Sequence, residues 1–531
     1  MWQRFLSKIQ TTIFGGALIV SGSWIVSKFL GLIKQRLTYT TFGPAGADSV
    51  YAAFALPDLI YGTLVLGSLL SAFMPVYMET KTRSETEAYG LSRAVMNVLA
   101  GVFFIAGILI IILAPSLVRL IVGDSVTAEQ LAQTTLIMRL LSMNMLIFAV
   151  SNVLAGVLQS VKRFIAVSLA PIMYNLGIVL AIVLFGKQYG PVTVAYGAIA
   201  GALAHLIIHI IAARNVGWRF TPSIGWKNAL VRRVGRLILP RTIGQSITQI
   251  AQFVTVPIAT RLGVGQLAIF RMANDIQDAP TNIVGLSMAT VAFPVFVEQL
   301  SQGRREEFIA HFSKIVRQIL FSIIPLTVLV IQLRAQLVRV FYGAPNVSWE
   351  VTYDTAQTLG YFALSFVAQS LIPLLARSFY AMQDTKTPVR ITTASVIVGI
   401  IGSIVLGPLM GVQGLALAYS ISSVLSAGLL IAILHHRLGT LDDNVIIRSV
   451  SRIIAVTIIM TFAVQGTKEA LVSLGVSLDY ALGVLAQLVI AGLVGVLTYL
   501  IFASMFRVEE GEALGRAIRN WLSSIRGGNR S

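Results

Sequence analysis

Ala72-Phe73-Met74-Pro75-Val76-Tyr77-Met78-Glu79 closes one long apolar stretch, and Val291-Ala292-Phe293-Pro294-Val295-Phe296-Val297-Glu298 closes another 219 positions later. Each follows a polar, proline-containing stretch, Leu56-Pro57-Asp58 in the first case and Asp278-Ala279-Pro280 in the second. Gln159-Ser160-Val161-Lys162 and Gln383-Asp384-Thr385-Lys386 form a further matched pair, 224 positions apart. Two matches in the same order define an internal repeat of roughly 220 residues.

The stretches between these markers are strongly apolar. Of 531 residues, 56% are hydrophobic and 12% charged, with a mean hydropathy of +0.82. Soluble domains carry about twice that share of charge. Windows of about 20 apolar residues give fourteen spans, near 12–36, 47–78, 91–114, 134–160, 165–186, 192–213, 235–261, 265–298, 314–335, 356–382, 388–408, 412–436, 446–466 and 480–506. Open strand edges cannot face lipid, so runs of this length imply a helical bundle. The expected fold is an all-α polytopic membrane protein with about fourteen transmembrane helices. Residues 1–220 form one six-helix lobe and 221–440 a second. Residues 441–506 hold two additional transmembrane helices, and 507–531 a cytoplasmic, basic, amphipathic tail. Six helices per copy keep the same orientation, so the lobes form a parallel pseudo-repeat.

The formal charge of +18 is unevenly spread. Alternate assignment of the loops puts about 27 Lys and Arg on the side of the N-terminus and about 6 on the other. Both termini are therefore expected in the cytoplasm. The loop from Arg214 to Arg236 and the tail from Arg507 to Arg530 read as anchors to anionic lipid, not as a nucleic-acid site. No cleavable signal is visible: Trp2 to Gln10 is short and amphipathic and runs into a full-length span. With no cysteine, disulfides, thiolate catalysis and cysteine-bound metal are excluded. His205 and His209 have zinc-like i, i+4 spacing, yet no third ligand accompanies them, so no metal site is assigned. No phosphate-binding loop, nucleophile elbow or dinucleotide fingerprint occurs, so the chain reads as a transporter without catalytic residues or an organic cofactor.

Four cations stand inside the spans: Lys28, Arg241, Arg271 and Arg377. A charge at bilayer depth costs about 2.5–3.5 kcal/mol on insertion scales, and such residues face protein, water or a polar cargo. Polar residues recur at helical spacing around three of them. The seventh span carries Arg241, Gln245, Thr248, Gln249, Gln252 and Thr255; the eighth carries Arg271, Asn274, Asp275, Asp278 and Asn282. The second span carries Asp48, Tyr51 and Asp58, and Lys28 and Lys34 lie in and just beyond the first, with Gly31 between them as a place to bend. The first, second, seventh and eighth spans are equivalent positions in the two repeats, so one polar chamber accounts for all four stripes. The expected substrate-binding residues are Lys28, Lys34, Asp58, Arg241, Gln249, Arg271, Asp275 and Asp278. Cations in such a chamber can hold phosphate oxygens through charge-assisted hydrogen bonds. Arg377 reads as structural.

The segment Phe379-Tyr380-Ala381-Met382-Gln383-Asp384-Thr385-Lys386-Thr387-Pro388-Val389 resembles a signature of the MurJ (MviN-like) lipid II flippases. These belong to the multidrug/oligosaccharidyl-lipid/polysaccharide exporter superfamily. Ser27-Lys28-Phe29-Leu30-Gly31, Phe42-Gly43, Ala47-Asp48, Phe54-Ala55-Leu56-Pro57-Asp58 and Ala72-Phe73-Met74-Pro75 extend the resemblance. It implies a flippase that moves undecaprenyl-pyrophosphate-linked peptidoglycan precursor from the inner to the outer leaflet by alternating access. It also implies a groove for the lipid tail at the last two helices, and energy from membrane potential or an ion gradient of unassigned ion. Two family arginines of the first helix look like Lys28 and Lys34 here. An arginine of the second helix aligns with Tyr61, and one of the eighth with Asp275, one turn after Arg271. Asp278 matches an acidic family position, and Leu66 replaces another. The expected partners are lipid II or a related polyprenyl-pyrophosphate glycolipid and membrane lipid, and the chain is expected to act as a monomer. Other readings are an exporter of another polyprenyl-linked glycan, a cation-coupled drug antiporter, and a scaffold acting through its loops and basic tail.

Overall fold

A computed structural model of the chain describes residues 13–66, 69–123, 126–221, 228–344 and 347–511, with side chains described except at 13–21, 65–66, 70–71, 239–241 and 243–245. The segment Trp2 to Gln10 and the tail after Gly511 lie outside the described residues.

Among the described residues all regular structure is helical. The first set comprises α1 (Ile13–Tyr61), α2 (Leu69–Arg83), α3 (Glu85–Val122), α4 (Ala128–Ser160), α5 (Phe164–Tyr189), α6 (Val192–Arg214) and α7 (Ala229–Arg261). Then follow α8 (Gln266–Thr281), α9 (Ser287–Ser301), α10 (Arg305–Tyr342), α11 (Trp349–Ala363), α12 (Phe366–Ala381), α13 (Lys386–Met410), α14 (Val412–Leu438), α15 (Asp443–Ser473) and α16 (Ala481–Met505). Every predicted span falls on a helix. Among the described residues ten stretches are each long and apolar enough to cross a membrane, and the α11–α12 pair, bent by 43°, would make an eleventh. The amphipathic α7, with its arginines and its Gln/Thr stripe, is not among the ten. Helices α3 and α10 have 38 residues each, or about 57 Å at 1.5 Å per residue. That exceeds a hydrocarbon core of about 30 Å, so their ends extend into polar surroundings. Glu85 and Glu87 in the first turn of α3, and Glu306 and Glu307 in that of α10, favour the positive helix ends.

Sequence windows separate the first two spans by a connection at 37–46, and the break falls there: at Gly43 (φ 69°, ψ −177°) the chain leaves helical geometry, so Ile13–Tyr61 is two helical arms joined at a kink. That backbone region is essentially reserved for glycine. The polar run from Lys34 to Thr41 lowers hydropathy without interrupting the helix. Gly31 stays helical, so Lys28 and Lys34 share the arm before Gly43.

The repeat is written into the backbone. A π-helical turn spans Gly62–Leu66 in the second span and Asn282–Leu286 in the eighth, with starts 220 positions apart. Lys162 (φ 57°) and Gln383 (φ 61°) leave α4 and α12 in the left-handed region, 221 positions apart, and Gly190 (φ 62°) and Gly411 (φ 64°) match at the same offset.

The chain divides into two compact units, Met1–Ala268 and Ile269–Ser531. The first unit thus includes α7, which the repeat reading assigns to the start of the second lobe. In the first unit α5 and α6 pack almost backbone to backbone: a Cβ on Gly201 would lie 2.6 Å from the carbonyl oxygen of Tyr174. Small residues at such crossings are how helices associate in lipid. In the second unit α10 receives the C-terminal pair α15 and α16. There the Gln336 amide donates to Gln487 Oε1 (2.7 Å), Tyr499 O–H to the Phe321 carbonyl (2.8 Å), and Lys468 Nζ to the Gln332 carbonyl (3.1 Å). Arg317 pairs with Glu509 (2.7 Å) and Glu510 (2.6 Å), fixing the start of the C-terminal tail.

Candidate functional site

In the first unit, the arm of α1 before Gly43 carries Lys28 and Lys34, both half-buried. Six residues separate them by about 9 Å along the axis and about 120° around it on a straight helix. Asn175 of α5 holds the turn beside Lys28, donating from Nδ2 to Ser27 Oγ at 3.0 Å. Thr38 Oγ1 donates to the Lys34 carbonyl at 2.8 Å.

Asp58 is exposed, one turn before the π-helical turn of the second span. Tyr61, the next residue on that side, is fixed by Asn152 of α4, whose amide donates to its hydroxyl at 2.8 Å. Gln249 of α7 lies directly over Gly62: a Cβ there would meet the Gln249 amide at 2.7 Å. The structure therefore brings Gln249 to the turn that follows Asp58. The Arg241 side chain lies outside the described residues.

Sequence reading placed Asp48 in a stripe and left it off the list of binding residues. Its carboxylate accepts from the backbone N–H of Gly265 (2.6 Å) and of Ala268 (2.8 Å). It thereby caps the first turn of α8, whose free N–H groups need acceptors. A cavity of about 70 Å³ opens beside it, bordered by Gln130, Thr134 and Thr260. One signal was present. Gly263-Val264-Gly265-Gln266 enters α8 with no Ser, Thr, Asp or Asn of its own to cap it.

In the second unit, Arg271, Asn274, Asp275 and Asp278 follow one another along α8, all half-buried. No ion pair within 4.0 Å joins Arg271 to Asp275 among the described residues. Their i, i+4 spacing permits such a pair, and it is not formed. Behind this face runs a chain of amides. Gln277 donates to Asn274 Oδ1 (3.2 Å), Gln369 of α12 donates to Gln277 Oε1 (2.9 Å), and Tyr419 of α14 donates to Gln369 Oε1 (3.2 Å). Buried amides of this kind fix the rotation of α8. Asn282 donates to the Asp278 carbonyl at 2.8 Å. Arg377 is half-buried on α12, and its Nη1 has no hydrogen-bond partner among the described residues.

The signature segment forms a knot between α12 and α13. Asp384 accepts from the backbone N–H of Lys386 and Thr387 (3.0 Å each), from Thr387 Oγ1 (2.6 Å) and from Arg437 (2.7 Å). Hydrogen bonds from Thr387, joined by Arg437, hold its carboxyl down at about 2. Arg437 also stacks over Phe379 at 5.4 Å. This motif therefore orders helix ends.

Repeated sets of long apolar helices, with polar groups confined to a few faces, define a polytopic membrane protein. The family model of lipid II flippase MurJ matches residues 39–486, and the chain belongs to that family. A relative from Rhizobium tropici named probable lipid II flippase MurJ is 28% identical over 443 residues, covering 79% of this chain and 80% of its own. One of the same name from Thermotoga maritima is 25% identical, covering 92% and 96%. Among solved structures, lipid II flippase MurJ in an inward closed conformation aligns with a TM-score of 0.76 at 21% identity, over 92% of this chain and 98% of that one. An inward-facing multidrug resistance MATE transporter of the MOP superfamily aligns at 0.63 and 15% identity, over 78% and 96%. At these identities the two structures establish the fold.

Proposed function

We propose that this protein moves lipid II, the undecaprenyl-pyrophosphate-linked peptidoglycan precursor, from the inner to the outer leaflet of a bacterial cytoplasmic membrane. The family match over residues 39–486 carries the reading. The polar faces support it. Lys28 and Lys34 supply compact ammonium charges, and Arg271 a guanidinium fork not consumed by Asp275; both groups suit pyrophosphate oxygens. Asp58, Asp275 and Asp278 leave the faces mixed in charge, which favours release of an anionic cargo over its permanent capture. Gln249 and the Gln277–Gln369–Tyr419 chain position the faces. Movement proceeds by alternating access of a monomer with cytoplasmic termini, driven by membrane potential or an ion gradient and not by an organic cofactor.

Complementation of a cell depleted of its own MurJ tests this. Wild-type protein restores growth, while Lys28→Ala and Arg271→Ala insert normally and fail. Full growth with both variants would remove these cations from the mechanism.

A further inference from the structure

His205 and His209 are 7% and 1% exposed in the middle of the first unit, and transport as argued above makes no use of them. Ser151 of α4 lies between them, with its Oγ 2.7 Å from His205 Nδ1 and 2.8 Å from His209 Nδ1. The contacts assign the hydrogens. His209 Nδ1 is also 3.0 Å from the Ser151 carbonyl, which can only accept, so Nδ1 of His209 carries a proton. Ser151 Oγ then accepts from His209 and donates its own hydrogen to His205 Nδ1. That leaves Nε2 of His209 as a bare lone pair, buried and without a hydrogen-bond partner among the described residues.

The groups facing the trio are few. Besides Ser151, the ring in contact with His205 is Phe148 of α4, which in turn touches Tyr61 of α1 and Tyr174 of α5. Phe148 lies 5.3 Å from Tyr61, 5.0 Å from Tyr174 and 5.2 Å from His205. No carboxylate comes within 4.0 Å of either imidazole among the described residues. The fold does not require the trio. At the repeat offset of 221 defined by Gly190 and Gly411, the second unit places Ile372, Ser426 and Leu430. Ionisable groups kept at bilayer depth without a packing need mark ion pathways and proton relays.

We propose that His205, Ser151 and His209 form a proton-binding site, with Nε2 of His209 as the acceptor, filled when water enters between α4 and α6. A proton passes from water to that lone pair. His209 then carries two N–H groups, one held by Ser151 and the other with no acceptor except water, so the packed arrangement is disfavoured. The rings are 4.7 Å apart, so a second positive charge is repelled and the trio takes one proton. The proton thereby becomes the coupling ion of the transporter proposed above, and the inference rests on that reading for this consequence alone.

The test uses the full chain without cargo, in nanodiscs of phosphatidylethanolamine and phosphatidylglycerol. Hydrogen–deuterium exchange in α4 and α6 is followed from pH 8 to pH 5. One bound proton predicts that the ratio of open to packed protein rises tenfold per pH unit below roughly the ordinary imidazole value of about 6.5. His209→Asn keeps the donor to Ser151 and removes the acceptor, so its response is flat. If that variant does not fold, nitrogen NMR of wild-type protein with labelled histidine reads the same site, as a bare Nε2 that becomes protonated in acid. A flat wild-type response, an unchanged slope in His209→Asn, or a His209 that stays neutral to pH 5 overturns the proposal. None of these outcomes bears on lipid II binding, which is measured separately.

Discussion

The second and eighth spans use the same backbone device for different chemistry. Each has a proline, a π-helical turn and a second proline: Pro57, Gly62–Leu66 and Pro75 in one, Pro280, Asn282–Leu286 and Pro294 in the other. In the first, Gly62 seats the flexible amide of Gln249; in the second, Gly285 seats the backbone of Ser370, 2.5 Å from where a Cβ would stand. The polar groups differ as well, with Asp58 and Tyr61 on one side and Arg271, Asp275 and Asp278 on the other. Duplication has preserved how these helices bend, while the neighbours they seat and the side chains available to a cargo have diverged.

The largest expected effect breaks the packing half of this comparison. Gly285→Ala forces Cβ into the Ser370 main chain, which cannot yield without moving α12. It should cost about 3 kcal/mol, at the upper end of overpacking, seen as a lowered Tm of purified protein. Gly62→Ala meets only the end of a glutamine, and should cost less than about 1 kcal/mol. Equal costs would remove the distinction.

Asp48→Ala strips the acceptor from two N–H groups of α8 and should cost about 1–2 kcal/mol. Asn retains part of this capping, so Asp48→Asn should lie between wild type and Ala. An alanine variant as stable as wild type would show that water replaces the carboxylate.

A smaller effect separates the two matched loops by acid. Asp384 is held at about 2 by Thr387 and Arg437, below the ordinary carboxylate value of about 3.9. Its contribution is complete above the ordinary value and is lost as pH falls through about 2. The loop at Val161–Arg163 has no carboxylate and relies on backbone bonds from Lys162 to Gln159 and from Arg163 to Leu158. Acid should therefore raise hydrogen exchange in the α12–α13 loop first, and Asp384→Asn should abolish the difference. Simultaneous loosening of both loops would contradict this account.

What could be read from sequence follows the range of the interactions. Helices follow from local hydropathy, and the repeat from matched segments such as Phe73-Met74-Pro75 and Phe293-Pro294. The break between the first two spans was legible as the drop in hydropathy at 37–46, where Gly43 turns the chain. Asp48 was recognised as polar but not as a cap, since its partners lie 217 and 220 positions away. The missing Arg271–Asp275 pair has the same lesson in reverse: i, i+4 spacing permits an ion pair, and tertiary contacts decide whether it forms.

Whether these diverged faces hold a pyrophosphate lipid is the central claim, and native mass spectrometry of the purified chain with lipid II tests it most directly. The account predicts binding by wild-type protein, and at least tenfold weaker binding by folded Lys28→Ala and by folded Arg271→Ala. Undiminished binding by both variants, or none by the wild type, would contradict it.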